Sequence, residues 1–204
     1  MRIGVDVGGT NTDAVLIDDD RILAAVKQPT SPDVSQGIID AIHSLLDESG
    51  VSPAQILNVM IGTTHFTNAF VQARELEKVF VLRIGYPAGR GIPPFSSWPE
   101  NMRQAVFGGT QMVRGGFEFD GRLINPLDEP AIFEAVKQIR ENGLQQVAVS
   151  CVFSQLNNEH ELRAAEIIQS ELPEVEVSIS SELGRVGLLE RENAAIMNAS
   201  LRPI

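Results

Sequence analysis

The sequence predicts an α/β protein built on a mixed β-sheet that helices cover on both faces. Three observations support this fold class. Residues 2–28 contain three consecutive β-prone runs joined by short turns. From residue 128 onward, amphipathic helical patterns alternate with apolar strands. Between these regions, residues 85–121 are rich in glycine and proline, which predicts an irregular insertion.

Composition restricts the class of ligand. With 204 residues and 43% hydrophobic content, the chain can bury a core as one domain or as one domain with an inserted subdomain. Its net charge of −11 disfavours nucleic acid and anionic membranes and favours a small-molecule ligand. The single cysteine, Cys151, excludes an intrachain disulfide, and no apolar stretch reaches membrane-helix length. No leader pattern occurs at the start, so we expect a cytoplasmic protein.

The first two strands flank a glycine-rich turn, GVDVGGTNTD at residues 4–13. Its glycines allow close backbone approach, and its polar residues supply hydroxyls, an amide and N–H donors. These residues are Gly8, Gly9, Thr10, Asn11 and Thr12. Asp6 and Asp13 bracket the turn with carboxylates. Such a turn suits a nucleotide phosphate with Mg²⁺, because the loop binds the anion while Asp6 holds the ion through water.

The spacing of this turn differs from the two familiar glycine loops. A Walker loop requires Gly-x4-Gly-Lys-Ser/Thr before a helix, and a dinucleotide fingerprint requires Gly-x-Gly-x-x-Gly. Here residues 13–18 continue as a strand, so the turn joins two strands of a hairpin. The alternative interpretation is an ordinary glycine-rich β-turn.

The spacing of apolar residues predicts the remaining elements. Residues 21–28 form the third strand. Before the insertion we expect a helix over 35–49 that Gly50 stops, a buried strand over 56–61, a helix over 68–75 and a strand over 78–84. Within the insertion we expect a short helix over 100–106, one or two strands around 111–119 and a hairpin turn at Asp120-Gly121. After it we expect helices over 128–142, 158–171 and 188–201 and strands over 146–153 and 174–180.

A second polar motif, GTTHFTN at residues 62–68, lies where a strand ends and a helix begins. Such a junction offers free helix N–H groups at the sheet edge where ligands usually bind. Thr63, Thr64, Thr67 and Asn68 would bind a carbonyl, a phosphate or a metal-bound water. The alternative is that Thr64 or Thr67 only caps the helix.

These motifs carry a family resemblance. DVGGT between two strands resembles the first phosphate motif of the actin, hexokinase and Hsp70-like ATPase superfamily. GTTHFTN resembles the Gly-Thr-Thr-x-x-Thr-Asn signature of the hydantoinase/oxoprolinase family. Residues 126–129, 147–161 and 189–203 resemble further stretches of that family with similar spacing. The chain is therefore identified, by resemblance over essentially its whole length, as the N-terminal region of a member.

The resemblance implies one lobe of an actin-like, ribonuclease H-like ATPase fold. The lobe would comprise residues 1–84 and 122–204, with the insertion at 85–121. Such ATPases bind nucleotide between two lobes, each with a phosphate loop, and this sequence has one such loop. We therefore expect the chain to be an N-terminal piece of a longer enzyme whose C-terminal lobe is missing.

The resemblance also implies a chemistry. The parent would hydrolyse a cyclic amide, such as a hydantoin or 5-oxoproline, through carbonyl phosphorylation, with ATP and Mg²⁺ as cofactors. The alternatives are an acetone-carboxylase-like subunit that activates a carbonyl with ATP and, for the isolated chain, a noncatalytic binding or assembly module. Partners would be the small-molecule substrate, the missing lobe, and a second hydantoinase-type subunit or another copy of the chain.

Site residues follow from matching the motifs. The catalytic candidates are Asp6, Thr64 and Asn68, and Asp6 is also the Mg²⁺ candidate. The ATP-binding candidates are Gly8, Gly9, Thr10, Asn11, Thr12 and Asp13. The substrate-side candidates are Gly62, Thr63, His65 and Thr67. Residues 82–90 depart from the pattern of many members, so substrate contacts made there in relatives are not transferred.

Weaker candidates have structural alternatives. His65 lies in a predicted site loop, where a lone histidine is either catalytic or a hydrogen-bonded structural residue. His43 and His160 are expected at the surface or as caps, and the three histidines lack metal-ligand spacing. Cys151 is expected to be a buried thiol.

A neighbouring Glu-Arg pair near the end of the chain is also ambiguous. Glu190 and Arg191 would form a structural ion pair at an interdomain hinge or reach the cleft. The structural role is the interpretation we favour.

Overall fold

The computed structural model describes residues 1–184 and 187–202, apart from the side chain of His65. The strands are β1 Arg2–Val7, β2 Asn11–Asp18, β3 Arg21–Pro29, β4 Asn58–Thr63, β5 Val79–Tyr86, β6 Phe107–Arg114, β7 Gln146–Cys151 and β8 Glu176–Ile179. The helices are α1 Val34–Ser49, α2 His65–Gln72, α3 Glu100–Val106, α4 Glu129–Glu141, α5 Glu159–Glu171, α6 Ser180–Leu183 and α7 Leu188–Leu201. None of the described helices is both long enough and apolar enough to cross a membrane.

The chain forms two compact units, residues 1–72 and 73–204. The sheet of the first unit has the order β3-β2-β1-β4. β1, β2 and β3 are antiparallel neighbours, and β4 runs parallel to β1. The prediction of three consecutive antiparallel strands at the start of the chain is therefore confirmed.

The core of the first unit lies on one face of its sheet, under α1. Strand alternation places every second side chain of β1 and β2 on that face. Its buried members are Ile3, Val5, Val7, Ala14, Leu16, Ala41 and Leu45. α1 begins at Asp33, whose carboxylate accepts from the Gln36 N–H at 3.0 Å, and ends at Gly50 in the left-handed conformation.

The second unit contains a parallel sheet with the order β6-β5-β7-β8. α4 and α5 pack on one face, and α7 packs on the other. Every residue of β7, and every residue of β5 except Tyr86, is consequently buried. This arrangement is typical of α/β proteins, in which helices cover both faces of parallel strands.

The structure has two sheets where the sequence predicted one, and part of the predicted insertion belongs to the second sheet. β6 pairs with β5 along residues 107–114. Its glycines signal close packing: a Cβ on Gly109 would lie 2.9 Å from a Phe80 ring carbon. The predicted helix at residues 100–106 and the turn at Asp120-Gly121 are confirmed. The domain boundaries given above stay a prediction.

Two elements of the first unit are displaced from their predicted positions. The strand expected over 56–61 is observed at Asn58–Thr63, and the helix expected from residue 68 begins at His65. The Thr64 N–H still donates to the Val7 carbonyl at 3.2 Å, so contact with β1 extends to the residue before the helix. The strand was also expected to be buried, yet every residue of β4 is exposed within this chain.

A buried ion pair in the second unit was not predicted. Arg83 and Glu192 are each 1% exposed, and Arg83 Nε donates to Glu192 Oε2 at 2.6 Å. Ser150 Oγ donates to the same carboxylate at 2.7 Å. Arg83 also donates to the carbonyl of Ile92. These bonds compensate for the burial of two charges, which would otherwise strongly destabilise the folded unit.

Glu190 and Arg191 both lie in the second unit, where Glu190 is exposed and Arg191 is buried. Arg191 is 1% exposed, and its Nη2 donates to the Cys151 carbonyl at 2.9 Å. Its Nη1 donates to the Gly187 carbonyl at 3.0 Å. Arg191 thus donates to two main-chain oxygens within the second unit, which supports a structural role for this residue.

Candidate functional site

The glycine-rich turn lies at the carboxyl end of β1. The Gly8 N–H donates to the Asn11 carbonyl at 2.9 Å, which closes the hairpin. Thr30 supports the turn: its Oγ1 donates to the Gly8 carbonyl at 2.8 Å, and its N–H donates to the Thr10 carbonyl at 3.0 Å. Sequence reasoning missed Thr30, because its Pro-Thr-Ser-Pro context indicated only the end of a strand.

Two main-chain donors of the turn remain open. Gly9 and Thr10 are exposed, and neither N–H has an acceptor among the described residues. The Asn11 Nδ2 donates to Thr10 Oγ1 at 3.2 Å, which orders the polar side chains beside them. Consecutive free N–H groups of this kind form a site for an anion.

The side chains of Thr12 and Asp13 are already engaged. Thr12 is 1% exposed, and its hydroxyl lies 3.4 Å from that of Thr30. Asp13 accepts two bonds from Lys27 Nζ, at 2.9 and 3.1 Å. Both residues also pair with β1 and with β3, so their predicted contribution to ligand binding would require a change in these side-chain contacts, such as release of the Asp13 carboxylate by Lys27.

Asp6 differs from Asp13 in its surroundings. It is exposed, and no described residue forms a hydrogen bond or ion pair with its carboxylate. It lies opposite Asp13 on β2 and in register with Gly62 on β4. A Cβ on Gly62 would lie 3.9 Å from Asp6 Oδ1, so the glycine leaves space beside the carboxylate. Asp6 is thus the open acidic group at this end of the sheet.

The second motif is attached to the same end of β1. Thr63 Oγ1 and the Thr64 N–H both donate to the Val7 carbonyl, at 3.1 and 3.2 Å. The Asn68 N–H then donates to the Thr64 carbonyl at 2.9 Å as α2 begins. These bonds place the beginning of α2 directly beside the glycine-rich turn.

The Asn68 side chain lies close to the glycine-rich turn. Its Nδ2 lies 3.3 Å from the position that a Cβ on Gly9 would occupy, and it donates to Thr64 Oγ1 at 3.4 Å. A larger residue at position 9 would force the amide to move. Thr67 is exposed in the first turn of α2. The side chain of His65, predicted on the substrate side, lies outside the described part of the structure.

The described residues offer no direct metal cage. Among them, no three histidine, cysteine, aspartate or glutamate side chains cluster as metal ligands. A Mg²⁺ ion commonly retains several waters and uses one or two carboxylates together with substrate phosphates. The single open carboxylate of Asp6 fits that mode.

The remaining titratable candidates lie outside this site. Cys151 is buried, and burial raises the pKa of its thiol, so the group is an unreactive thiol as predicted. His43 is exposed on α1, also as predicted. The prediction for His160 was wrong: it is half-buried in the second unit, and its Nδ1 accepts from the Gly116 N–H at 3.0 Å. Its ring lies 4.6 Å from that of Phe117.

Two enzyme subunits are similar in sequence to this chain over nearly its whole length. Caprolactamase subunit alpha from Pseudomonas jessenii is 29% identical over 225 residues, covering 100% of this chain and 31% of the relative. Acetophenone carboxylase gamma subunit from Aromatoleum aromaticum is 27% identical, covering 98% of this chain and 31% of the relative. The chain thus spans about 31% of the length of these relatives, and both are named as subunits.

Two solved structures have a similar fold. A nucleotide-free acetone carboxylase, described as ATP-dependent, superposes with a TM-score of 0.80 at 21% identity over 99% of this chain and 32% of its own. The ATP-dependent caprolactamase from Pseudomonas jessenii superposes with a TM-score of 0.74 at 27% identity over 100% of this chain and 32% of its own. These likenesses confirm the predicted fold class.

The family assignment comes from a match along most of the chain. Residues 2–172 match the hydantoinase/oxoprolinase N-terminal region. This span contains the glycine-rich turn, the second polar motif and most of the second unit. The chain therefore belongs to the hydantoinase/oxoprolinase family, as its motifs predicted.

Proposed function

We propose that this chain is the nucleotide-binding N-terminal part of a longer, ATP-dependent enzyme that hydrolyses cyclic amides. One observation carries the proposal: the Asn68 amide lies so close to Gly9 that a Cβ there would be 3.3 Å from it, which brings the two polar motifs together at the end of β1. An open anion site, an open carboxylate and the start of a helix thereby meet at one place. The ATP dependence of the caprolactamase and acetone carboxylase structures supports the choice of nucleotide.

The residues present fit a nucleotide phosphate with Mg²⁺. The free N–H groups of Gly9 and Thr10 would hold phosphate oxygens, since they lack acceptors among the described residues. Asp6 would hold the ion through its water shell. Gly62 leaves the space beside Asp6 that this shell requires.

Bound MgATP supplies a phosphoryl group, which converts a resonance-stabilised amide carbonyl into an electrophile that water can attack. This chain's residues position that chemistry. Asp6 would hold the ion through its waters, and the turn would hold the phosphate. Thr64 and Asn68 would act as hydrogen-bond donors to the transferred group. Thr63, whose hydroxyl is held by the Val7 carbonyl, keeps the two motifs in place.

The substrate class rests on a relative. One relative is a caprolactamase, named for a cyclic amide. We therefore expect a hydantoin, 5-oxoproline or another lactam to be the substrate of the parent. The test is ADP release by the full-length enzyme, screened over cyclic amides. Stimulation by at least one of them is expected, and no stimulation by any would contradict the assignment.

A second candidate function is an ATP-dependent, carbonyl-activating subunit of a carboxylase. The acetophenone carboxylase gamma subunit and the acetone carboxylase structure favour it. The same ADP assay separates the two functions when ketones and bicarbonate are added to the screen. If ADP release is stimulated by a ketone together with bicarbonate and by no cyclic amide, the carboxylase function is supported.

The 204-residue chain by itself should bind Mg-ATP weakly and should not hydrolyse it. It contains one glycine-rich phosphate motif, whereas closure over the nucleotide requires an opposing loop. Calorimetric titration of the isolated chain tests this expectation. A micromolar dissociation constant would contradict it.

A further inference from the structure

Three charged side chains form a row across the first sheet, on the face opposite α1. Asp6 on β1 is directly opposite Asp13 on β2, and Asp13 is directly opposite Lys27 on β3. Directly opposed residues of antiparallel strands project to the same face of a sheet. Asp6 alternates with Val5 and Val7, which are buried in the core under α1, so the row lies on the other face.

The two carboxylates of this row have different partners. Lys27 Nζ donates to both carboxylate oxygens of Asp13, at 2.9 and 3.1 Å. Asp6 has no such partner among the described residues, and its Oδ1 lies 3.9 Å from the position that a Cβ on Gly62 would occupy. Like charges directly opposite each other on neighbouring strands are destabilising. Lys27 therefore neutralises one of two adjacent carboxylates at the end of the sheet that carries the glycine-rich turn.

Basic residues are scarce in the first unit. Residues 1–72 contain three of them, Arg2, Arg21 and Lys27. Arg2 is opposite Ile17 and Arg21 is opposite Asp18, so both arginines lie at the end of the sheet away from the turn. Lys27 is consequently the basic residue of the first unit that can compensate a phosphate at the turn, where two carboxylates would otherwise repel it.

The ion pair of Lys27 is easily exchanged. Its two side chains are 63% and 43% exposed, and ion pairs of this kind contribute little to stability. Asp13 is three residues from Thr10, a distance of at most about 11 Å between their Cα atoms. The lysine ammonium is carried on a flexible four-carbon chain. Lys27 can thus leave Asp13 at small cost when a more highly charged anion binds at the turn.

We propose that Lys27 changes its partner when Mg-ATP binds. Its ammonium leaves Asp13 and pairs with an oxygen of the phosphate that the turn holds. The released Asp13 carboxylate then lies beside Asp6, and the two carboxylates together hold the water shell of Mg²⁺. This inference rests on the proposed function, because it requires the nucleotide phosphate to bind at the turn. It gives β3 a direct part in nucleotide binding.

Amine-specific labelling of the full-length parent tests the change of partner. Lys137 is the matched control: it is 59% exposed and lies 2.7 Å from a Glu134 oxygen, as Lys27 lies 2.9 Å from Asp13. At an Mg-ATP concentration of about 100 times Kd, acetylation of Lys27 by an N-hydroxysuccinimide ester should slow by about tenfold or more. Acetylation of Lys137 should change by less than about twofold. Unchanged labelling of Lys27 would overturn the inference.

Calorimetric titration of variants distinguishes a phosphate contact from simple shielding of Lys27. Lys27→Met should raise the Kd for ATP by about tenfold or more, with or without Mg²⁺, because it removes a charged donor. Asp13→Asn should act in the opposite direction without Mg²⁺ and lower the Kd by about threefold, because it removes the competing carboxylate. The double variant should bind as weakly as Lys27→Met. If both single variants raise the Kd for metal-free ATP equally, Lys27 acts only through Asp13 and the inference is wrong.

Two further variants separate charge from structure. Lys27→Arg keeps the charge and should stay within about threefold of the parent Kd, and Lys137→Met should leave the Kd unchanged. The melting temperature of Lys27→Met should stay within about 2 °C of the parent value. A larger fall with an unchanged Kd would show a purely structural role and overturn the inference.

The unsubstituted parent distinguishes failure of this inference from failure of the proposed function. If the parent binds Mg-ATP and every variant has the same Kd, the change of partner is wrong and the proposed function stands. If calorimetry detects no binding of Mg-ATP to the parent, the proposed function fails and the inference fails with it.

Discussion

The sheets of the two units differ in how completely helices cover them. In the second unit, helices cover both faces, and the central strands β5 and β7 are almost completely buried. In the first unit, the core lies under α1, and β4 is exposed. The candidate site belongs to the first unit, where the end of β1 remains accessible.

The two units also differ in the surroundings of one carboxylate in each. Glu192 in the second unit is buried and fully engaged by Arg83 and Ser150, so its carboxylate stabilises the fold. Asp6 in the first unit is exposed and has no partner among the described residues, so its carboxylate remains available to a ligand. Substitution of Asp6 should therefore affect turnover, and substitution of Glu192 should affect stability.

The largest expected effect is that of Asp6→Asn. The amide has nearly the same shape, but it lacks the charge that organises the ion and its water. In the full-length enzyme, turnover should fall by about 1000-fold or more. The melting temperature should stay within about 2 °C of that of the unsubstituted enzyme. Asp18→Asn, an exposed aspartate at the opposite end of the same sheet, is the control and should retain turnover. Retained turnover in Asp6→Asn would remove Asp6 from the site.

Glu192→Ala tests the opposite side of the comparison. It leaves Arg83 buried without its anion, which typically destabilises a fold by about 3–5 kcal/mol. Urea denaturation followed by circular dichroism measures the loss. Glu134→Ala, which removes an exposed pair with Lys137, should cost less than about 1 kcal/mol. Equal losses in the two variants would show that the buried pair does not hold the second unit together.

Thr64→Val tests the role of a single hydroxyl inside the site. The methyl group replaces the hydroxyl at similar volume, so ATP affinity should survive. Substrate-stimulated ATP hydrolysis should fall by about ten- to a thousandfold, as expected for one oriented donor. Thr64→Ser keeps the hydroxyl and should retain most of the activity. If Thr64→Val lowers the melting temperature and leaves stimulation intact, Thr64 acts only as a helix cap.

The smallest expected effect is a pH dependence of the second unit. Burial lowers the pKa of His160 below its usual value of about 6.5. As the pH falls through about 6.5, the unfolded chain therefore takes up the proton before the folded chain does. The stability that the neutral ring contributes is present above this pH and is lost below it.

A variant separates the contribution of His160 to this pH dependence from the contribution of the aspartate and glutamate side chains. In His160→Gln, the side-chain oxygen can accept from the Gly116 N–H and does not titrate. The difference in unfolding free energy between about pH 7.5 and about pH 5.5 should be smaller in His160→Gln than in the parent. An identical difference in the two proteins would show that His160 does not titrate on unfolding.

Much of the fold was predictable because it depends on local patterns. The helix at Glu100–Val106 was predicted with the observed bounds, and α7 matched its predicted range. Helical spacing and caps are local, so neighbouring residues suffice to locate them. β6 was less predictable, since its glycines indicated an insertion. Only the structure reveals why glycine is needed there: a Cβ at position 109 would clash with the Phe80 ring.

The candidate site divides in the same way. The residue types and spacing of both motifs indicated a phosphate turn and a helix start, and the structure places them beside each other. The support from Thr30 and the engagement of Asp13 by Lys27 were not predictable, because these partners are brought together by strand pairing. The assignment of individual roles within the motifs stays a prediction.

The fold class, most helices and strands, the family and the two polar motifs follow from the amino-acid sequence, because each depends on residue type and short-range spacing. The folded structure is needed to show that the strands form two sheets, that Arg83 and Glu192 share a buried ion pair, and that β4 is exposed. Each of these depends on contacts between residues far apart in the chain, where burial and strand register select one arrangement. The same long-range contacts left Asp6 free and Asp13 engaged, although the two aspartates flank one turn.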